Sequence, residues 1–295
     1  MSPIVFPRLR APDVVLTPKM LQAQDRILHA HKPRGQMVVL TGDAGAGKTT
    51  AALHIANSIN QGHEDGVEDS FAAAYFVSSD LRQRMKVGLL QRRLLSEFAK
   101  MVLRLSMPRD LRSLDVPGLL TSIAAGLRLA NTQVVFIDEA GHIPPEGLDH
   151  LVTLINTVAT RERHPLTVVL VGMDDLPINV DVMPQVQRRV VDRVFFEPYD
   201  TKTALFVLRM AHPFFETVDP ETVAGSEVME FLLSGTVSHG GLIGYMLPLV
   251  ERAESMAVEM SIPFGIRALR MVHAISEQDA KLGRDRTKRS WAAAI

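Results

Sequence analysis

Lys48 and Thr49 follow a glycine-punctuated run, Gly42-Asp43-Ala44-Gly45-Ala46-Gly47. With Thr50 they complete a stretch in which Gly42, Gly47, Lys48 and Thr49 fit the G-x-x-x-x-G-K-[ST] phosphate loop. Glycines let the backbone curl so that its N–H groups converge on phosphate oxygens, and a helix starting at that point favours negative charge. Lys48 has the charge and reach for the β- and γ-phosphates of ATP, and the Thr49 hydroxyl is a hard oxygen ligand for Mg²⁺. A glycine turn that binds nothing has no need of a Lys-Thr pair at this spacing. The whole stretch from Gly42 to Thr50 is therefore expected to hold the nucleotide.

The second stretch with chemistry is Gln133 to His142, Gln-Val-Val-Phe-Ile-Asp-Glu-Ala-Gly-His. Four apolar residues running into two carboxylates are the pattern of a central parallel strand that delivers acids to the edge where ligands sit. Asp138 is expected to hold Mg²⁺ through its water shell, sharing the metal with Thr49. Glu139 is expected to take a proton from the water that attacks the γ-phosphate. An Asp-Glu pair after a strand can also cap a helix. The Asp-Glu-Ala-His box of helicases is a further rival, but Gly141 interrupts it, and 295 residues are too few for two full helicase-type domains. His142 is read as structural.

The elements that must position these groups follow from periodicity. Thr17-Pro18 starts a helix that runs to about His31; Met37 to Leu40 is a strand entering the phosphate loop, and Thr50 to Ile59 a helix leaving it. Gln61 to Ser70 reads as a loop and Ala72 to Val77 as a buried strand, whose polar end at Ser78-Ser79 is placed to sense the γ-phosphate. Helices are expected over Val116 to Ala130 and Pro144 to Arg163, a strand over Leu166 to Gly172, and a helix end leading into a fifth strand over Gln185 to Tyr199. After Thr201 the strands stop, and Thr201 to His212, Ser226 to Leu233, Leu242 to Met260 and Phe264 to Asp279 are helix-compatible. The expected fold class is α/β: a P-loop NTPase αβα sandwich with a central parallel sheet over residues 1–200. A small helical domain over 201–280 and a basic tail over 281–295 follow it.

Composition bounds the function. Hydrophobic residues make up 46% and charged ones 22%, an ordinary globular balance that can bury a sizeable core. With 32 basic and 33 acidic side chains, any nucleic-acid contact must come from a local basic face. Leu81 to Leu105 is the most basic long segment, and Arg82, Arg84 and Lys86 at its start are placed to meet a DNA phosphate backbone; the same charges also suit a solvated helix face. Lys281 to Arg289 carries five basic residues and one acidic, followed by Trp291. The absence of cysteine excludes disulfides and a thiol nucleophile and agrees with a reducing compartment, so the cytoplasm is the expected location. No apolar run approaches the roughly 18 residues of a membrane span, and no membrane association is expected.

The order of phosphate loop, basic helix, Asp-Glu strand, further strand, arginine pair and helical domain resembles an AAA+ ATPase over about residues 14 to 280. In such proteins the helical domain is a lid on the nucleotide. The resemblance places Val14, Val15, Leu16 and Thr17 beside the adenine, although a segment that merely covers the core reads the same way. It makes Asp174 a candidate polar sensor and gives Arg189, then Arg188, the role of a finger reaching the neighbouring subunit's nucleotide. An arginine pair at a helix end also suits the helix dipole, and Arg193 is read as a structural ion-pair partner. Ser238-His239-Gly240-Gly241-Leu242-Ile243-Gly244-Tyr245, followed by Leu249, Arg252-Ala253 and Ala257, is similar to the lid of transposition-regulator ATPases of bacterial transposons, the TniB/TnsC type, and more distantly to Mu phage B protein. The departure is at Ile243, Gly244 and Tyr245, where many lids place a phosphate-sensing arginine.

That resemblance implies a homo-oligomer, ring or helical filament, which loads ATP and Mg²⁺ and assembles on double-stranded DNA. It would recruit or activate a transposase, with a target-selection protein as a further partner, and hydrolyse ATP to ADP and phosphate to disassemble. The alternatives are an AAA+ ATPase acting on protein partners, as a secretion-type or remodelling motor, and a nucleotide-binding scaffold with little turnover. An intact Glu139 argues against the scaffold.

Overall fold

A computed structural model provides the fold. The structure describes residues 15–31, 35–65, 71–77, 115–143, 145–162, 165–173, 175–234, 242–276 and 278. Val14, Ser78, Ser79, Arg82, Arg84, Lys86, Asp174, the lid residues 235–241 and the basic tail lie outside the described residues. Two compact units emerge: Met1–Asp43 with Gly47–Glu197, and Ala44–Ala46 with Pro198–Ile295.

The first unit is a five-stranded, all-parallel sheet. Its strands are β1 Met37–Gly42, β2 Ala72–Val77, β3 Thr132–Asp138, β4 Thr167–Val171 and β5 Val190–Phe196, in the spatial order β2-β3-β4-β1-β5. Helices α1 Pro18–His31 and α2 Lys48–Glu64 contact one face of the sheet; α3 Val116–Leu129, α4 Pro145–Glu162 and α5 Asp175–Asp181 contact the other. A sheet covered on both faces needs strands apolar at successive positions. The core answers that need: Val39, Val135, Ile137, Val168 and Leu170 pack with Leu119, Ile123, Leu127, Leu151 and Ile155 of α3 and α4. Val38, Leu40, Val134, Phe136, Val169 and Val171 are equally buried.

Local chemistry sets the element ends. Thr17 Oγ1 accepts a hydrogen bond from Met20 N at 3.3 Å and Pro18 takes the first helical position of α1, while Asp115 Oδ1 accepts from Gly118 N at 2.8 Å at the start of α3. Asn60 of α2 pairs with the outer strand β2 as another strand would. Ala73 N donates to Asn60 Oδ1 at 2.7 Å, and Asn60 Nδ2 donates to Ala73 O at 3.1 Å. Helix α2 itself runs on to Glu64, so Gln61 to Glu64 form its last turn rather than the start of a loop.

The second unit is helical, with α6 Thr201–Ala211, α7 Val223–Ser234, α8 Ile243–Glu259, α9 over residues 266–276, and a 3₁₀ turn at Pro213–Glu216. Asp200 caps α6 by accepting from Thr203 N at 2.7 Å. The core gathers Leu205, Leu208, Phe215, Met229, Leu232, Met246, Leu249 and Leu269. His212 Nδ1 accepts from Phe214 N at 3.1 Å, which leaves Nε2 as the protonated nitrogen of the neutral ring, 3.3 Å from Glu254 Oε1. Within this unit Gly244 N donates to Gly45 O at 2.8 Å, and Tyr245 Oη lies 2.5 Å from His273 Nδ1.

Candidate functional site

Gly42 closes β1 with φ 141°, and Gly45 and Gly47 follow with φ 84° and 89°, all in the region that L side chains avoid. At Gly42 space adds to the argument: a Cβ there would stand 2.3 Å from Phe196 O at the end of β5. Gly47 is the N-cap of α2 and has no side chain to cap with, so the first N–H groups of that helix are left for an outside acceptor. Lys48 opens the helix. It is 8% exposed and donates through Nζ to Gly42 O at 2.7 Å and Asp43 O at 2.6 Å, so the ammonium is held against the loop it belongs to.

Strand order then brings the acids to the same edge. Thr49 Oγ1 donates to Asp138 Oδ2 at 2.8 Å, and Asp138 Oδ1 accepts from Glu139 N at 2.8 Å, so both oxygens of this buried carboxylate are oriented. A hydroxyl and a carboxylate side by side are hard oxygen donors of the kind Mg²⁺ takes alongside waters and phosphate oxygens. The donor set fits the metal. Among the described residues there is no cluster of three or more His, Cys, Asp or Glu that could hold a metal by itself.

Glu139 has φ 55° and ψ 31°, a left-handed conformation that costs a non-glycine residue on the order of 1 kcal/mol or more. It opens a 3₁₀ turn over Ala140–His142, closed by His142 N donating to Glu139 O at 3.0 Å. Side chains three apart eclipse in such a turn. His142 Nε2 accordingly lies 3.4 Å from Glu139 Oε2, with both side chains partly exposed. Helix α5 holds the turn from the other side: Asn179 Nδ2 donates to Gly141 O at 3.1 Å and to Ile143 O at 3.3 Å. Gly141, which breaks the helicase-like box in the sequence, is a place of close approach. A Cβ on it would meet Asp175 Oδ1 at 2.4 Å.

The arginines separate. Arg189 is half-buried; its guanidinium donates to Gly35 O at 3.2 Å and to Asn156 Oδ1, and its carbonyl accepts from Met37 N at 2.8 Å. Arg188 is exposed, and among the described residues its side chain makes no hydrogen bond or ion pair. Arg193 pairs with Asp181 of α5, Nη1 to Oδ2 at 3.2 Å, the ion-pair role expected of it. This pairing draws the Asp181 carboxyl below its ordinary range and raises Arg193. Of the residues considered for the adenine side, Thr17 is buried as the cap of α1, and Leu16 is 42% exposed. Sequence reasoning missed His142, Asn179 and Asp175; Gly141 was the one visible sign that something packs on that turn.

With a glycine loop after β1 and paired acids after β3, residues 31–177 match the family profile described as an AAA domain. That stretch is similar to an AAA domain. No curated protein matches the chain. Among solved structures, ORC2 of Aeropyrum pernix, in ADPNP and ADP complexes, superposes with TM-score 0.65 at 16% identity, covering 92% of this chain and 69% of that one. ORC1 of the same organism, in complex with DNA, gives TM-score 0.63 at 18% identity over 94% and 69%. A chain of the E. coli MS115-1 HORMA:CdnC:Trip13 complex gives 0.56 at 15% identity over 91% and 93%. These likenesses show the fold, a P-loop AAA+ sheet with flanking helices and a helical C-terminal region.

Proposed function

We propose that the protein is an ATP-dependent, DNA-binding AAA+ regulator of DNA transposition that oligomerises on target DNA, recruits or activates a transposase, and hydrolyses ATP to disassemble. The observation that carries the ATPase part is the convergence of Lys48, Thr49, Asp138 and Glu139 at one sheet edge. On this reading the loop and helix α2 hold the phosphates, Lys48 leaves its two carbonyls for the β/γ-phosphates, and Thr49 and Asp138 hold Mg²⁺. The metal, when bound, screens the phosphate charge. Glu139 takes a proton from water while the water oxygen bonds to the γ-phosphorus and the bond to the bridging oxygen breaks, releasing ADP and phosphate. Arg188 or Arg189 would act on a neighbouring subunit's nucleotide.

The DNA and transposition part is supported by the likeness of the lid to TniB/TnsC-type regulators, by the basic segment from Arg82 to Lys86, and by the fold shared with a protein solved on DNA. The deciding experiment measures binding to non-specific duplex DNA across salt, with and without ATP. Binding that needs ATP and weakens steeply with salt is expected. No binding in either state rejects this reading in favour of an AAA+ ATPase acting on protein, for which the match in length to the HORMA:CdnC:Trip13 chain is the favouring observation.

A further inference from the structure

We infer that His142 is a positioning residue for Glu139: it holds one carboxylate oxygen of the hydrolytic base and thereby sets the direction in which the other accepts a proton. The inference rests on the reading of Glu139 as the base. It starts from the backbone. Glu139 leaves β3 in the left-handed region, a strained entry for a residue with a long side chain, and the strain is retained where four hydrogen bonds fix the turn. Glu139 N is tied to Asp138 Oδ1 at 2.8 Å, His142 N to Glu139 O at 3.0 Å, and Gly141 O and Ile143 O to Asn179 at 3.1 and 3.3 Å. A turn held on this many sides presents His142 to Glu139 as a fixed partner.

The side-chain chemistry is consistent with that role. Glu139 has three rotatable bonds, and a general base must stand within hydrogen-bond reach of the water it deprotonates. Nε2 at 3.4 Å from Oε2, one short step from hydrogen-bond distance, is placed to limit that freedom without withdrawing the carboxylate from solvent, since the two side chains keep 34% and 43% of their exposure. An imidazole N–H serves here because it orients one oxygen while contributing no second carboxylate. Its reach across three residues depends on the 3₁₀ turn, in which Gly141 leaves room for the Asp175 carboxylate.

The test uses the full chain, with ATP turnover, KM for ATP and affinity for a fluorescent ATP analogue measured on His142→Ala, His142→Gln, His142→Met, Glu139→Gln and the double variant. Misplacing a base by an ångström can cost on the order of 100-fold. His142→Ala and His142→Met should therefore lose kcat by roughly 10- to 100-fold, with analogue affinity and KM within about twofold, and His142→Gln, which keeps an N–H donor, should recover most of it. His142→Ala should add nothing to Glu139→Gln if it acts through that carboxylate. Should His142→Ala not fold, the Gln and Met pair, alike in bulk and differing in the donor, carries the comparison. A kcat that is unchanged or raised without the donor, or losses that add in the double variant, overturns the positioning role. Full turnover in Glu139→Gln overturns the assignment of the base itself, a separate result.

Discussion

Thr49 Oγ1 donates to Asp138 Oδ2 at 2.8 Å, joining two residues 89 positions apart in the chain. The bond forms because β1 and β3 flank β4, so the loop after one strand and the acid ending the other open on the same edge. A hydroxyl and a carboxylate that share a proton this way are also two oxygens ready to share a cation. Thr49→Val and Asp138→Asn should each raise the Mg²⁺ concentration needed for half-maximal ATP-analogue binding. The double variant should be little worse than the more affected single one, because both side chains serve one ion. A Mg²⁺ titration followed by analogue fluorescence checks this, and fully additive effects would show that the two do not share a metal.

Lys48 and Glu139 should fail in different ways. Glu139→Gln removes the base and leaves the phosphate loop intact, so turnover should drop by on the order of 10²- to 10⁴-fold while ATP stays bound and the assembly persists. Lys48→Ala removes the charge now resting on Gly42 O and Asp43 O and should weaken nucleotide binding itself, which prevents assembly. Phosphate release, analogue affinity and particle size separate the two. Equal loss of nucleotide binding in both variants would contradict this division of roles.

Much of this was legible in the sequence because the signals are local. The strand from Ala72 to Val77 shows at its observed bounds, and Asp138 and Glu139 announce themselves at the end of an apolar run. What stayed hidden depends on geometry that spacing does not encode. Gln61 to Glu64 read as loop because this last turn, Gln-Gly-His-Glu, carries no apolar residue to extend the helical periodicity. His142 read as structural because only a left-handed Glu139 followed by a 3₁₀ turn eclipses the two side chains. The partners of Arg189, Gly35 and Asn156, are 154 and 33 residues away in sequence. No composition or motif places them together.

Asp200 gives a pH-dependent prediction. Its carboxylate accepts from Thr203 N at 2.7 Å and is drawn below its ordinary range chiefly by that bond. A depressed folded-state value means that the carboxylate stabilises the fold at pH above its unfolded value, about 4, and that this contribution is lost as pH falls through the lower folded value. Asp200→Ala should cost about 1 kcal/mol at neutral pH, typical for loss of an N-cap. The gap from wild type should narrow below about pH 4. Denaturant unfolding at pH 7 and pH 3 checks it; a gap of the same size at both would mean the carboxylate charge is not what caps α6.

The proposed DNA contact makes a prediction in salt. Arg82, Arg84 and Lys86 lie a few residues beyond β2 in sequence, and each phosphate that a subunit neutralises adds about 0.9 to the magnitude of the slope of log K against log salt. Replacing Arg82 or Lys86 by Gln should flatten that slope and leave analogue binding intact. Little change in sequence preference is expected, because phosphate contacts position a protein without reading bases. If removing all three charges leaves both affinity and slope unchanged, these residues do not contact DNA and the basic run from Lys281 to Arg289 is next.

Adjacent arginines offer the sharpest comparison. Arg189 is spent within its own chain, on Gly35 O and Asn156 Oδ1 and, through its backbone, on the first residue of β1. Arg188, one residue earlier and exposed, has no such partner among the described residues. A group that must reach across to another subunit's nucleotide needs an uncommitted guanidinium, so the geometry favours Arg188 over Arg189, which the sequence alone puts first. Arg189→Ala should lower the unfolding midpoint, since the carbonyl of buried Gly35 loses a donor at about 1 kcal/mol or more. Arg188→Ala should leave stability and analogue affinity unchanged and reduce turnover in the assembled state, by up to about 10³-fold if it acts as a finger. Mixing is the decisive readout. Arg188→Ala subunits with intact Glu139 and Glu139→Gln subunits with intact Arg188 are each slow alone, and together they should regain turnover where an intact arginine meets an intact base. If the mixture stays as slow as its parts while Arg189→Ala alone loses turnover without losing stability, the finger is Arg189, released from Gly35 and Asn156 on assembly.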